Sequence, residues 1–172
     1  MLIAETERLI LRHFHIVDAE AMDRVFGDAE VMKFGKGAQS PEWVRKWLCG
    51  CLEDYFQKWG FGLWAVVEKD HRETIGFCGL SRFPDVGGSP ETEIGYRLAR
   101  AHWGKGYATE AASAVRDYAF GTLGLSRLIS IIDARNPASI HVAEKIGMRF
   151  EKDVIFKGCP NRVYAISRPG AA

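Results

Sequence analysis

Residues 102–115 read HWGKGYATEAASAV, and this stretch decides most about the fold. A strand-like run from Thr92 to Leu98 precedes it, and a helix rich in small residues begins directly after its two glycines. The first N–H groups of a helix have no acceptor within the helix, and the helix dipole makes that end partly positive. Glycine also lets the backbone approach a ligand without a Cβ in the way. The stretch therefore predicts a site for a phosphate or pyrophosphate.

This glycine-containing turn has other interpretations. A Walker A loop needs G-x-x-x-x-G-K-[ST], and the sequence has no such string. A dinucleotide fingerprint needs G-x-G-x-x-G, but Thr109 stands at the third glycine and several strands precede the turn. A tight turn without any ligand also fits the glycine pair. The rest of the chain has to decide between these interpretations.

The composition is that of an ordinary globular chain, with 172 residues, 47% hydrophobic, 26% charged and a net charge of +1. It has no basic run, which argues against nucleic-acid binding, and no apolar stretch near the roughly 20 residues of a membrane helix. The N-terminus has neither a basic leader nor an apolar signal segment, and the four cysteines lack zinc or redox spacing. We expect one cytoplasmic domain (1–172, core about 5–167) with free thiols and no metal, as a monomer or homodimer.

Hydrophobic periodicity and turn residues predict the order β-α-α-β-β-β-α-β-α-β-β. The predicted strands are 8–12, 62–68, 74–83, 91–98, 127–133, 148–154 and 163–167. The predicted helices are 19–26 with Asp18 as N-cap, 41–59 with Ser40 as N-cap and an apolar stripe that includes Tyr55 and Phe56, 107–119, and 138–146. This order predicts an α+β fold with a mixed, mostly antiparallel sheet of six to seven strands and helices on both faces.

Four strings in this order resemble the GNAT superfamily of acyl-CoA-dependent N-acetyltransferases. WGKGYA at 103–108 is similar to the family's pyrophosphate loop, Q/R-x-x-G-x-G/A, with Trp103 in place of Gln or Arg. NPASIHVAEKIGM at 136–148 is similar to its N-x-x-S helix and the G-F or G-M turn that follows. TERLILR at 6–12 and EIGYRL at 93–98 match the branch that resembles ribosomal-protein N-terminal acetyltransferases. The resemblance covers about residues 5–167 and is weakest near 161–162, where that branch often has an acidic residue.

The resemblance implies acetyl-CoA as co-substrate, held where two central strands splay apart. Pantetheine would pair like an added strand with the backbone at Tyr96, Arg97 and Leu98. The diphosphate would meet the loop and helix start, at Trp103, Gly104, Lys105, Gly106, Tyr107 and Ala108. Lys105 either adds a charge there or is simply solvated. Asn136 either caps its helix, hydrogen-bonds pantetheine, or does both.

The resemblance also implies two catalytic residues, Glu93 and Ser139. Glu93 would act as the general base and take the proton through a water molecule. Otherwise it is an exposed or ion-paired carboxylate of the strand. A backbone N–H near Tyr96 or Arg97 would stabilise the oxyanion. Ser139 would hydrogen-bond the leaving thiolate as well as the coenzyme, because full proton transfer from serine to a thiolate is uphill; otherwise it is a plain first-turn residue. The acceptor would be a protein N-terminus or a small-molecule amine, and the alternative is a non-catalytic acyl-CoA-binding module.

Overall fold

A single mixed sheet forms the centre of the computed structural model, which describes residues 1–53 and 58–170. Its strands are β1 (Leu2–Glu5), β2 (Leu9–Arg12), β3 (Leu63–Glu68), β4 (Glu73–Phe83), β5 (Glu91–Leu98), β6 (Arg127–Ile132), β7 (Arg149–Phe156) and β8 (Cys159–Ser167). The α-helices are α1 (Ala19–Phe26), α2 (Ala29–Met32), α3 (Pro41–Glu53), α4 (Tyr107–Gly121) and α5 (Pro137–Lys145). Short 3₁₀ turns occupy Ile16–Asp18 and Arg100–His102.

The strand order is β1-β2-β3-β4-β5-β6-β8-β7, and every neighbouring pair is antiparallel except β5 and β6. The predicted α+β class and mostly antiparallel sheet are confirmed. The described sheet has eight strands rather than six to seven, because residues 2–5 form an edge strand on β2. Only four residues long, that segment is too short to show a strand pattern by itself.

Two helix starts test the predicted caps. Ser40 caps α3 as expected, since its Oγ accepts a hydrogen bond from the Trp43 N–H at 3.2 Å. The predicted cap at Asp18 is wrong: its carboxylate makes no cap bond to α1 and instead pairs with the Arg12 guanidinium at 2.8 Å. A strong ion pair to the neighbouring strand outcompetes the local cap. The predicted stripe positions Tyr55 and Phe56 lie outside the described residues.

Helices cover both faces of the sheet, as predicted. On the α4 face, α4 and α5 pack on the larger core, and the alanines 111, 112 and 119 of α4 are fully buried. These small side chains let α4 lie close to the sheet, which sets the position of the loop before it. On the α1 face, α1, α2 and α3 pack on a second core around Phe26 and Phe77. Within the described part of the chain, no helix is both long and apolar enough to cross a membrane.

The sheet opens between β5 and β6, which confirms the predicted splay. These strands share one register pair, Glu93 with Ile129, whereas β6 and β8 share six. We call the opening beyond this pair the wedge. At its closed end, Arg127 of β6 pairs with Glu91 of β5 at 3.0 Å and with Glu151 of β7 at 2.9 Å, a set we call the Arg127 clasp. The clasp holds three strands together where the wedge begins.

Candidate active site

The loop between β5 and α4 turns at two glycines. Gly104 and Gly106 have φ of 74° and 83°, the region that favours glycine. Gly106 is the N-cap of α4, and its carbonyl accepts from the Glu110 N–H at 3.0 Å. A Cβ on Gly104 would meet no heavy atom of the described residues within 4 Å. The first N–H groups of α4 therefore lie at an accessible helix end that suits an anion.

An acidic residue in the first turn of α4 is neutralised within the protein. Glu110 accepts from the Thr6 hydroxyl at 2.6 Å and the Arg8 backbone N–H at 2.9 Å, and it pairs with the Arg8 guanidinium at 2.6 Å. Burial acts to raise the pKa of Glu110, but these hydrogen bonds hold it below its usual value. Arg8 also donates to the Lys105 carbonyl at 2.9 Å. The loop thus faces a cation and not a free carboxylate.

The side chains of the loop serve the fold more than a ligand. The Tyr107 side chain is buried, and its hydroxyl donates a hydrogen bond to Glu68. The Trp103 indole N–H donates to the Leu98 carbonyl at 2.8 Å. The Leu98 carbonyl is therefore already paired within the protein, and the Leu98 side chain is buried. This loop therefore offers a ligand its backbone N–H groups. They belong to Tyr107 and to the more exposed residues Gly104, Lys105, Gly106 and Ala108.

Asn136 and Ser139 form a closed pair at the start of α5. The Asn136 Oδ1 accepts from the Ser139 N–H at 3.2 Å, which confirms the predicted helix cap. The Asn136 Nδ2 donates to the Ser139 Oγ at 3.0 Å. Because this Oγ already accepts a hydrogen bond from the amide, its own O–H is directed to a different acceptor. Asn136 therefore orients the serine hydroxyl as a donor.

Tyr96 contributes a hydroxyl that the sequence analysis did not consider. This hydroxyl is buried and has no hydrogen-bond partner among the described residues. Burial raises the pKa of Tyr96 to about 12, and the nearby Ser139 opposes this shift, although the two do not meet the geometry of a hydrogen bond. A buried unpaired hydroxyl costs about 1–3 kcal/mol. Its position beside Ser139, on the α4 face of β5, suits a ligand that would pair with it.

Glu93 lies where the wedge begins, in the register pair that joins β5 to β6. Its carboxylate accepts from the backbone N–H of Ile131 at 3.2 Å, in place of a strand-to-strand bond. Burial raises the pKa of Glu93 to about 7, against the effects of the Ile131 hydrogen bond and of the charges of Lys157 and Arg97. Among the described ion pairs within 4 Å, none includes Glu93. A carboxyl group that titrates near neutral pH is suited to accept a proton.

The predicted site residues are divided between the two faces by the alternation of β5. Tyr96 lies on the α4 face with Asn136 and Ser139 close by, whereas Glu93 and Arg97 belong to the α1 face. The wedge between β5 and β6 connects the two sides. Burial raises the pKa of the Cys78 thiol, which excludes a ready thiolate nucleophile at that position. No group of His, Cys, Asp or Glu suited to a metal occurs in the described ranges.

A family model described as an acetyltransferase (GNAT) domain matches residues 8–149. The chain belongs to the GNAT acetyltransferase family. YkkB of Bacillus subtilis is 36% identical over 160 residues that cover 92% of each protein. The N-acetyltransferase YoaA of Bacillus subtilis is 32% identical over 97% of each. The crystal structure of an acetyltransferase from Agrobacterium tumefaciens has a TM-score of 0.83 at 30% identity, covering 96% of this chain and 94% of its own.

GNAT proteins with a named acceptor differ in what they acetylate. A spermidine N(1)-acetyltransferase of Escherichia coli is 38% identical over 99 residues, which cover 58% of this chain and 52% of its own. RimL, a ribosomal L7/L12 alpha-N-protein acetyltransferase solved with coenzyme A, shares the fold at a TM-score of 0.75 and 17% identity, covering 97% of this chain and 98% of its own. This chain is thus an N-acetyltransferase of a family that uses acetyl-CoA and acts on chemically different amines.

Proposed function

We propose that this protein transfers the acetyl group of acetyl-CoA directly to a primary amine, in a ternary complex and without a covalent enzyme intermediate. The wedge carries this proposal: a half-buried carboxyl group lies on one side of it, and an oriented serine and an unpaired tyrosine hydroxyl lie on the other. The acceptor is the amine of a protein N-terminus or of a small molecule, and the location is the cytoplasm.

The residues present fit acetyl-CoA. The N–H groups of residues 104–108 would hold the diphosphate at the start of α4, where Arg8 adds positive charge. The backbone groups of Tyr96, which face the wedge without a β6 partner, would pair with pantetheine, whereas those of Arg97 face β4. The Tyr96 hydroxyl gives the same region a buried polar group in need of a partner. When bound, acetyl-CoA supplies the activated acetyl group as a thioester.

The proposed proton transfers use groups on both faces of β5. Glu93 takes a proton from the acceptor ammonium or from a water beside it, because its pKa of about 7 leaves it largely ionised above neutral pH. A backbone N–H of β5 near Tyr96 donates to the acyl oxygen as negative charge develops there. The Ser139 O–H, oriented by Asn136, donates to the leaving sulfur. Each group acts without a metal and without an enzyme nucleophile.

A panel of coenzymes tests this function first. Acetyl-CoA at 100 times its Kd is expected to stabilise the protein by about 2.7 kcal/mol, because it binds only the folded state. For a chain of this size that is a rise in Tm of roughly 5–10 °C. NAD and ATP at the same concentration are expected to give no such shift. Released thiol from a screen of amines then measures transfer.

Two results would contradict the proposal. A Tm that rises equally with NAD would support a dinucleotide-binding protein instead. Binding of acetyl-CoA without thiol release, across peptides, amino acids, polyamines and amino sugars, would support the non-catalytic acyl-CoA-binding module.

A further inference from the structure

Among the described residues, few atoms lie above one glycine on the α1 face of β5. Along this face Glu93, Gly95 and Arg97 follow each other at every second residue, as strand alternation requires. A Cβ added to Gly95 would contact one atom of the described residues within 4 Å, the Glu93 Oε2 at 3.6 Å. The cross-strand neighbour, Gly79 of β4, also has no side chain. We call the space above Gly95, between the Glu93 carboxyl and Arg97, the Gly95 pocket.

Arg97 borders this pocket with a guanidinium that has hydrogen bonds to spare. Its Nη1 donates to the Val31 carbonyl at 2.9 Å, which fixes the side chain against the end of α2. A Cβ on Gly35 would lie 2.8 Å from its Nη2, so the glycine makes room for it. Among the described residues, no carboxylate oxygen lies within 4 Å of the Arg97 guanidinium nitrogens. In the described part of the chain, one of its five N–H groups has an acceptor, so the guanidinium keeps donors for an anion.

The charges around the pocket favour one class of acceptor. Both Arg97 and Lys157 act on Glu93 through their positive charges. The Lys157 ammonium lies 5.1 Å from the ring centroids of both Phe83 and Phe156, which hold it at this end of the β7–β8 hairpin. Within the described ranges, one carboxyl and two cations surround the pocket, and this net positive charge would repel a polyamine with several positive charges. The carboxyl and the cations complement a molecule that carries both an ammonium and a carboxylate.

We propose that the acceptor is a small amine with a carboxylate next to its amino group, as in α-amino acids. This inference rests on the proposed function and names its substrate class. The amine lies toward Glu93, and the carboxylate accepts hydrogen bonds from Arg97. An N–C bond forms between the amine and the acetyl carbon while the C–S bond breaks with its electron pair going to sulfur. The ammonium nitrogen loses two protons: Glu93 receives one and the leaving sulfur gains the other, so the coenzyme leaves as its thiol and the product is an N-acetylated amino acid.

The direct test compares acceptors that differ only at the carboxylate. Released thiol is measured with the twenty amino acids, with the corresponding amino acid amides such as leucinamide, and with spermidine. We expect kcat/KM for the preferred free acid to exceed that for its amide at least tenfold, a difference of about 1.4 kcal/mol. The amide has the less basic amine and would react faster if the enzyme ignored the carboxylate.

Arg97→Gln separates recognition from folding. We expect it to raise KM for the free acid at least tenfold more than KM for the amide. The pH step in kcat/KM should move upward equally for both acceptors, because Arg97 no longer lowers the pKa of Glu93. Arg97→Lys should restore part of the preference because it keeps the charge. If Arg97 only holds α2, the glutamine variant will lower Tm and weaken both acceptors equally.

Gly95 and Gly79 form a matched pair of substitutions on paired positions. The Cβ of Gly95→Val would contact one atom of the described residues, the Glu93 Oε2, at the ordinary distance of 3.6 Å. We therefore expect a normal Tm, unchanged acetyl-CoA binding and a KM for the amino acid raised at least tenfold. Gly79→Ala is expected to lower Tm instead, because its Cβ would lie 2.3 Å from the Gly62 carbonyl oxygen. Full activity in Gly95→Val would mean that the acceptor does not use this pocket.

The outcomes for the two proposals differ. Transfer to spermidine, to amides or to a C-terminally amidated peptide at least as fast as to any free amino acid would overturn the inference about the carboxylate and leave the acetyltransferase function in place. No thiol release with any amine, from folded protein that binds acetyl-CoA, would overturn both.

Discussion

Replacing Glu93 by glutamine is expected to lower kcat by about 10²- to 10⁴-fold, the usual contribution of a general base. Glutamine has nearly the same shape, and its Oε1 can still accept from the Ile131 N–H, so the start of the wedge should keep its form. Only the ability to take a proton is lost. Steady-state kinetics with acetyl-CoA and the best acceptor measure the change, and the affinity for acetyl-CoA should stay the same.

The pKa of Glu93 adds two further readouts. In the wild type, kcat/KM should rise with pH through about 7, and the glutamine variant should lack that step. The pKa of Glu93 is higher in the folded protein than in the unfolded chain, so the protonated carboxyl group favours the folded state. This contribution to the free energy of unfolding is complete below pH 4.5 and is lost as pH rises through 7. Above pH 7, Glu93→Gln should therefore be more stable than the wild type by on the order of 3 kcal/mol.

A matched control is available on α5, where Glu144 is exposed and outside the wedge. Glu144→Gln makes the same chemical change and should alter neither kcat nor the pH profile. A loss in kcat of less than threefold in Glu93→Gln, with the pH step retained, would remove Glu93 from the role of base.

Removing the Ser139 hydroxyl is the second large effect we expect. Ser139→Ala should lower kcat roughly 10- to 150-fold, which corresponds to the loss of a hydrogen bond to a charged group of about 1.5–3 kcal/mol. The binding of acetyl-CoA should change little, because charge develops on the sulfur only during transfer. The Asn136 cap on α5 uses the Ser139 backbone N–H and survives the substitution. A plain first-turn serine would give an unchanged kcat.

Tyr96→Phe is a companion experiment, and we expect this substitution to stabilise the free protein rather than destabilise it. It removes a buried hydroxyl that has no partner in the described residues, so the free protein should gain up to about 1–3 kcal/mol of stability. If that hydroxyl pairs with the coenzyme, the same variant should bind acetyl-CoA more weakly. Higher Tm with unchanged affinity would show that the tyrosine does not contact the ligand.

Local sequence signals predicted those parts of the site that depend on neighbouring residues. Gly104 and Gly106 marked the turn because their positive φ needs no distant partner. Asn136 marked the start of α5 because its side chain bonds three residues ahead. Glu93 could be placed on a strand from alternation, but its pKa of about 7 depends on burial by the assembled sheet.

Features that depend on contacts far apart in the chain were not predictable in this way. The hydrogen bond from Arg97 to Val31 spans 66 residues, and Asp18 bonds Thr74 across 56. The first creates one wall of the Gly95 pocket, and the second acts together with the Arg12 ion pair that keeps the Asp18 carboxylate from capping α1. The unpaired Tyr96 hydroxyl arises only when β5 and α5 are brought together. Strand alternation alone could have placed this side chain on the α4 face, but not its lack of a partner.

The Arg127 clasp affects how each catalytic cycle begins. It fixes the closed end of the wedge, and the Ser130 hydroxyl bridges to the Ile94 carbonyl at 3.1 Å just beyond it. The angle between the two strands is therefore set when the chain folds and does not depend on an arriving molecule. Association starts from a preorganised cleft, so no strands have to be separated at each turnover and less of the coenzyme's affinity is lost to rearrangement.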